Sequence, residues 1–587
     1  MNRRSFLQNA AASGAAAGLG GVAAGMPAAA TPALDALPRT GPKPAATGQR
    51  AVASSSHPIV THTMLAVMKA GGNAVDAGIA GSLVQAVVQP EMTNHTGTVT
   101  FLCWEAKTGK AYQLNGSGTL VPGLAPFRPM PAVGGLAAGP TPPCACIPGF
   151  MPAMKALRER FGSRPWKELC EPAVRWSRDG FPVHSFQYGV FESELPSNTY
   201  FPSGRDFFMP GGFTPLVGDR FHNPAMAETM RRLAEEGPDY FIRGDWARHF
   251  VAEGNRLGWP VKLEHLQAIP PRWQEPLRYV HRGHELLQLA PPERTGVFSA
   301  LVLGILEALD VTSLGPSARS ADSLYYMAGA LRWAEWELGY LHDPELFGLP
   351  LDVWLSRDHH RQVAEILRRS RPKADLTEHV RVTAGNPALA AAGLPTAAPG
   401  KASAVTGSCE LSIVDPQGNW VQMMNTLQSG GIPGVVVDGI PMVGSHAVTD
   451  MGASIAGWFS GGGRLRLPIG NTIVLRDGRP WLSLGTPGNV HVTVPQVLSN
   501  ILDHGMDPEA AVEAPRMLSL RDDYVVDVES RLAPEVLAGL ARLGVRVNPL
   551  PPHDWHMGSF QVSWRDPKTG RLMTLADSRR AGRADGF

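Results

Sequence analysis

The chain has 587 residues, of which 44% are hydrophobic and only 18% charged, and a formal net charge of +1. That length exceeds one small core and suggests about two to four units. The near-zero charge argues against a nucleic-acid partner or an anionic membrane surface.

The N-terminus reads Asn2-Arg3-Arg4-Ser5-Phe6-Leu7-Gln8, then a long Ala/Gly stretch ending at Ala28-Ala29-Ala30. Twin arginines, a mildly apolar segment and a small-residue cut site match a bacterial twin-arginine export signal. Residues 1–32 are therefore set aside from the fold, and the mature protein is expected in the periplasm or outside the cell. Alanine and glycine are poor material for a stable transmembrane helix, and no other uncharged apolar run reaches about 18 residues. The mature chain is therefore expected to be soluble, with no membrane partner.

Residues 33–55 are rich in Pro and Ala and read as a flexible, extended or disordered segment. Residues 56–90 carry a helical apolar pattern broken at Ala70–Ala77, where Asn73 or Asp76 can cap the following helix. Strands are predicted at Thr98–Trp104 and Lys110–Leu114. From about 148 to 380 the period is mostly helical, as in Ser299–Leu309 and Ser323–Leu341. The five cysteines, at 103, 144, 146, 170 and 409, are odd in number and irregular in spacing, which argues against a disulfide framework. Cys144-Ala145-Cys146 lacks a second ligand pair, and Asp358-His359-His360 reads as a solvated helix face. No metal site and no cofactor are expected.

Residues 384–402 look like a linker. Past Ser408 the pattern turns to strands: Leu411–Val414, Trp420–Met424, Thr472–Leu475, Trp481–Leu484 and two more within 556–577. A helix fits Val492–Leu502. Helices with antiparallel hairpins point to a layered α/β sandwich.

The junction Thr406-Gly407-Ser408-Cys409-Glu410 sits between linker and strand. Read alone, Gly-Ser before a strand is an ordinary turn. If the Gly407–Ser408 bond is cut, however, Ser408 gains a free α-amine beside its own hydroxyl. That amine can serve as the base that a weak serine nucleophile needs.

Several motifs, in order along nearly all of the mature chain, resemble the γ-glutamyltransferase family of N-terminal-nucleophile hydrolases. They include Gly71-Gly72-Asn73-Ala74-Val75-Asp76-Ala77, Ile147-Pro148-Gly149-Phe150, Pro291-Pro292-Glu293-Arg294-Thr295-Gly296, Ser412-Ile413-Val414-Asp415, Gly485-Thr486-Pro487-Gly488-Asn489 and Ala576-Asp577-Ser578-Arg579-Arg580. The resemblance implies a four-layer αββα sandwich of two subunits from one precursor. The large subunit would span 56–407 and the small one 408–587, as a heterodimer open to further oligomerisation. It implies a small-molecule or peptide amide as substrate, Gly407–Ser408 as the cleavage site and Ser408 as nucleophile. Thr426 would hydrogen-bond that nucleophile, and the Gly488 and Asn489 N–H groups would form the oxyanion hole. Thr406 and Cys409 are rival nucleophiles, but Cys409 is one residue late and points to the other face of a strand.

The glutamyl-binding positions of the family are not kept. No arginine stands in Leu114-Asn115-Gly116-Ser117, and no acid in Met442-Val443-Gly444-Ser445-His446. Burying a zwitterionic glutamyl head there would be poorly compensated. Asn115, Gln428, His446, Arg464 and Arg466 lie near the replaced positions and are candidate substrate-binding residues; His95 is either a pocket residue or part of a capped turn. The expected activity is a self-processing amidohydrolase with a non-glutamyl acyl group. The alternatives are a genuine γ-glutamyltransferase or glutathione hydrolase, and an uncut, non-catalytic binding protein of the same fold.

Overall fold

Ser408–Val414 is buried along its whole length, so both of its faces need partners. It finds them as an inner strand of one of two seven-stranded sheets. The computed structural model describes residues 38, 40–119, 147–257, 259–268, 271–345, 348–370, 407–427, 434–442, 464, 469–521 and 524–587. Residues 1–32, read as an export signal, Cys144, Cys146, residues 384–402, read as a linker, Thr406, Gln428, His446 and Arg466 lie outside the described residues.

The strands of the two large sheets, in chain order, are β1 (Ala46–Gly48), β2 (Val52–Ser55), β3 (Thr98–Glu105), β4 (Lys110–Gly116), β5 (Arg272–Gln274), β6 (Leu277–His281), β7 (His284–Gln288), β8 (Ser408–Val414), β9 (Trp420–Thr426), β10 (Thr472–Arg476), β11 (Arg479–Gly485), β12 (Gln561–Arg565), β13 (Leu572–Ala576) and β14 (Arg583–Gly586). One sheet runs β1-β13-β12-β11-β10-β7-β6 and the other β14-β2-β8-β9-β3-β4-β5. Every pairing in both is antiparallel.

The sheets face each other through small polar side chains. Ser412 Oγ of β8 lies 2.7 Å from Ser563 Oγ of β12 and 3.4 Å from Ser483 Oγ of β11. On the outside of the β8 sheet lie α1 (Pro58–Lys69) and α2 (Ala74–Val88). Every residue of α2 is buried, as expected of a helix that is apolar all round. Its Gly81 admits the close approach: a β-carbon there would stand 2.8 Å from Met64 and 3.5 Å from Leu411. Of the two cap candidates Asn73 takes the N-cap position of α2, in a reciprocal box with Asp76. The other sheet is covered by the helices Thr295–Ala308 and Val490–Leu502, whose Val297, Leu301 and Val492 join a large buried apolar cluster. The result is the four-layer αββα sandwich. Among the described residues no helix is long and apolar enough to cross a membrane.

Three expectations change. Part of the segment read as flexible is ordered: β1 and β2 fall within 33–55, and β2 pairs directly with β8, Val52 opposite Val414. Pro/Ala-rich composition hid this because the stabilising ladder comes from residues more than 300 positions away. The region read as mostly helical also carries the β6–β7 hairpin. Its turn residues Arg282 and Gly283 have φ of 50° and 79°, the double left-handed turn that suits twisted strands. Lastly, Asp358–His360 is not a solvated face throughout. His360 is buried and bonds the Trp354 carbonyl at 2.9 Å, while His359 pairs with Glu337.

Candidate active site

Residues directly opposed in an antiparallel ladder share a face of the sheet. Ser408 opposes Thr426, and Thr426 opposes Thr98. All three therefore point into the layer between the sheets, as do Glu410 and Ser412 further along β8. Cys409 points the other way, toward α2, with Asn425 beside it. Asn425 bonds Ser82 and Gln85 of α2. Burial pushes the Cys409 thiol up to about 12, so it stays protonated on the wrong face of the strand.

The Gly407–Ser408 linkage lies inside a tight hydroxyl cluster. Ser408 Oγ donates to the Gly407 carbonyl oxygen at 2.6 Å, and Thr426 Oγ1 donates to the same oxygen at 2.7 Å. The two hydroxyl oxygens are 2.7 Å apart, and the Leu427 N–H donates to Gly407 O at 3.2 Å. Donors converging on a carbonyl oxygen polarise its carbon toward attack. A β-carbon at Gly407 would come within 2.7 Å of Leu427 Cδ1 and 2.9 Å of the Met92 carbonyl oxygen, so glycine is required by space. Thr426→Val keeps the shape and removes one donor; it should slow cleavage of the precursor about 100-fold or more, measured as the time course of fragment appearance on a gel.

The loop after β11 is aimed by contacts across the layer. Ser412 meets Ser483, and two residues nearer Ser408, Glu410 meets Gly485, where a β-carbon would be 2.1 Å from Glu410 Oε1. Gly488 has φ of 88°, and a side chain there would strike the His556 carbonyl and the Gly558 nitrogen. The Asn489 N–H, expected to point freely at an oxyanion, donates to His556 O at 3.0 Å, and its side-chain Nδ2 reaches the same oxygen at 3.0 Å. Asn489 also stands at the start of the helix Val490–Leu502, whose N-terminal end carries partial positive charge.

Glu410 is fully buried. Asn471 donates to its Oε1 at 2.6 Å, and Thr100 donates to Asn471 at 2.7 Å. Burial raises the Glu410 carboxyl well above the usual carboxylate range.

Two of the candidate substrate-binding residues come together in one buried cluster. Asn115 donates to Glu293 Oε1 at 2.5 Å and accepts from the Ser117 N–H and hydroxyl at 2.9 and 2.6 Å. Burial pushes the Glu293 carboxyl up to about 8. Arg464 does not run outward into water: it is buried, its N–H donates to Asp343 at 3.1 Å and its Nη1 reaches Ser117 O at 3.4 Å. Asp343 is in turn held bidentately by Arg272 at 2.8 and 3.0 Å. His95 is a core histidine, packed on Phe150 and Phe241, with burial lowering it to about 3.

Glu293 and Arg580 fall within the motifs of the sequence, yet no task is expected of either from the sequence alone. Arg580 donates from Nη1 to the Ser408 carbonyl oxygen at 2.8 Å and is fully buried. The available signal was an Arg-Arg pair following apolar strand residues in a chain of low charge.

Comparison with known proteins shows the family and the fold. The family described as gamma-glutamyltranspeptidase matches residues 61–587. A glutathione hydrolase proenzyme of Pseudomonas aeruginosa is 29% identical over 557 residues, 88% of this chain and 91% of that protein. An oxamate amidohydrolase proenzyme of Klebsiella pneumoniae is 31% identical over 264 residues, 44% of this chain and 49% of its own length. Among solved structures, a cephalosporin acylase from Bacillus halodurans superposes with a TM-score of 0.77 at 22% identity, covering 93% of this chain and 97% of that one; this likeness supports the fold.

Proposed function

The chain belongs to the γ-glutamyltranspeptidase family of N-terminal-nucleophile amidohydrolases and acyltransferases, and from that premise we propose that it cuts itself at Gly407–Ser408 and then hydrolyses an amide through an acyl-enzyme on Ser408. The observation that carries this reading is the Ser408–Thr426–Gly407 cluster, in which a hydroxyl stands against the carbonyl it would attack.

In the first stage Ser408 Oγ adds to the Gly407 carbonyl carbon. The C–N bond then breaks, the acyl group moves to oxygen and the amine is released. Water cleaves the ester, leaving a large chain ending at Gly407 and a small chain starting at Ser408 as a heterodimer. In the second stage the α-amine takes the Oγ proton while Oγ attacks the substrate carbonyl. That proton passes to the departing amine, and water then releases the acid. Gly488 supplies one oxyanion donor. Asn489 supplies the second by exchanging the His556 carbonyl for the developing oxyanion, with the helix Val490–Leu502 adding its N-terminal field.

The acyl group is neutral or bears a single carboxylate. Asn115 lies near the position where the family has an arginine, and it is engaged with Glu293. The resemblance to a protein named for oxamate, an amide with one carboxylate, points the same way. The export signal would place the reaction outside the cytoplasm. A glutathione hydrolase is the second reading, favoured by the 29% identity across almost the full length.

Purified protein should resolve into two fragments, the smaller beginning at Ser408. The mature enzyme should release ammonia from oxamate or split simple acyl anilides faster than it turns over glutathione or a γ-glutamyl anilide. Preferential glutathione turnover would install the second reading, and an uncut chain that still hydrolyses amides would end both.

A further inference from the structure

Arg580 is a buried cation beside the nucleophile that the reaction scheme leaves without a task. Besides its bond to Ser408 O, its guanidinium stands 5.2 Å from the Trp555 ring centre and 5.5 Å from that of Phe186. Those two rings meet edge to face at 5.4 Å and are partly buried against Met92 and Cys409. They separate the charge from solvent. Lys43 Nζ holds the Arg580 carbonyl at 2.8 Å. Among the described residues Arg580 Nε and Nη2 meet no hydrogen-bond partner. A buried guanidinium without a bonded carboxylate costs stability, which is unexpected unless the position needs the charge.

The acidic groups around it do not cancel that charge. Glu91, bonded by Gln187 at 3.0 Å, is pushed up to about 8 by burial, and burial likewise raises the Cys409 thiol to about 12 and the Glu410 carboxyl well above the usual carboxylate range. Asp577 is engaged by Arg516 and Arg579, and Asp554 by His556. His184, stacked on Phe186, is lowered to about 4 by burial and is neutral. Arg580 itself, lowered to about 10 by burial, remains cationic at neutral pH.

We propose that Arg580 is a positioning residue for the nucleophile: it fixes Ser408 through its carbonyl, and its uncancelled charge keeps the α-amine released by self-cleavage unprotonated and ready to accept the Oγ proton. The inference rests on Ser408 being the N-terminal nucleophile. The amine and carbonyl oxygen of one residue are about 3 Å apart, so the guanidinium lies about 5 Å from the amine. A like charge at that range lowers an amine by about 1 to 2 pH units from its ordinary 7.7–8.0.

The test is pH-dependent acetylation of the mature protein with acetic anhydride, read by mass spectrometry of the peptide starting at Ser408. The wild-type midpoint should fall at about 6 to 7. R580Q should raise it by about 1 to 2 units, whereas R580K should leave it near wild type. A wild-type midpoint of about 7.7 or higher overturns the proposal, and so does an unchanged midpoint in R580Q. If R580Q does not mature, the wild-type midpoint decides alone. Absence of any Ser408 N-terminus in wild type removes the nucleophile assignment itself, and this inference with it. A Ser408 N-terminus with an ordinary midpoint removes only the role of Arg580.

Discussion

Ser408→Ala should leave the purified protein as one uncut species on intact mass spectrometry, while wild type under the same conditions gives two fragments. Alanine removes the only hydroxyl that both contacts the Gly407 carbonyl and belongs to the residue after it. Without it there is no N-to-O shift and no N-terminal amine. Amidase activity should fall by about 10⁴-fold or more, since nucleophile and base disappear together. Ser408→Thr should still cleave, because it keeps hydroxyl and amine. Cys409→Ala should cleave normally, because the Cys409 side chain lies on the opposite face and its thiol is held protonated by burial. Cleavage of Ser408→Ala at the same bond would remove Ser408 from the mechanism.

Asp577→Ala should cost about 3–5 kcal/mol of stability, read as a lowered midpoint in chemical denaturation. Asp577 is fully buried, bonds Arg516 at 2.5 Å and Arg579 at 3.1 Å, and accepts from the backbone N–H of Phe560 and Arg579. Arg579 also grips Glu529 at 2.6 Å. Taking away the carboxylate would leave two guanidiniums in the core with Glu529 as their remaining shared counter-charge. This network ties β12 and β13 to the segment Val512–Arg516, and Arg580 hangs from its end. Loss of Asp577 should therefore also loosen the hold on Ser408 and slow maturation.

The pH dependence of that contribution has a definite sign. Burial by itself raises the Asp577 carboxyl, but the charges of Arg516 and Arg579 outweigh it and hold the group well below the usual carboxylate range. A carboxylate depressed in the folded state contributes its full stability above its unfolded value of about 3.9, and loses it as pH falls below that value toward its folded one. The gap between wild type and Asp577→Ala should thus stay constant from neutral pH down to about 5 and shrink only below about 4. A gap that narrows between pH 8 and 6 would point to a different titrating group.

The sequence by itself determined the strand run from Leu411 to Val414, a cap at Asn73 or Asp76 for the helix that follows, and, through an ordered set of motifs, the family resemblance that implied the sandwich and the bond between Ser408 and Thr426. These are local periodicities or short spacings, which a single stretch of chain carries within itself. Only the tertiary structure decided which distant groups meet. It seats β2 against β8, commits the Asn489 N–H to His556, pairs Asn115 with Glu293 instead of solvent, buries Arg464 beside Asp343, and presses Arg580 onto the Ser408 carbonyl. Each of these partnerships joins residues tens to hundreds of positions apart. No composition or period encodes them, because their strength comes from burial and from charges brought together only when the layers close.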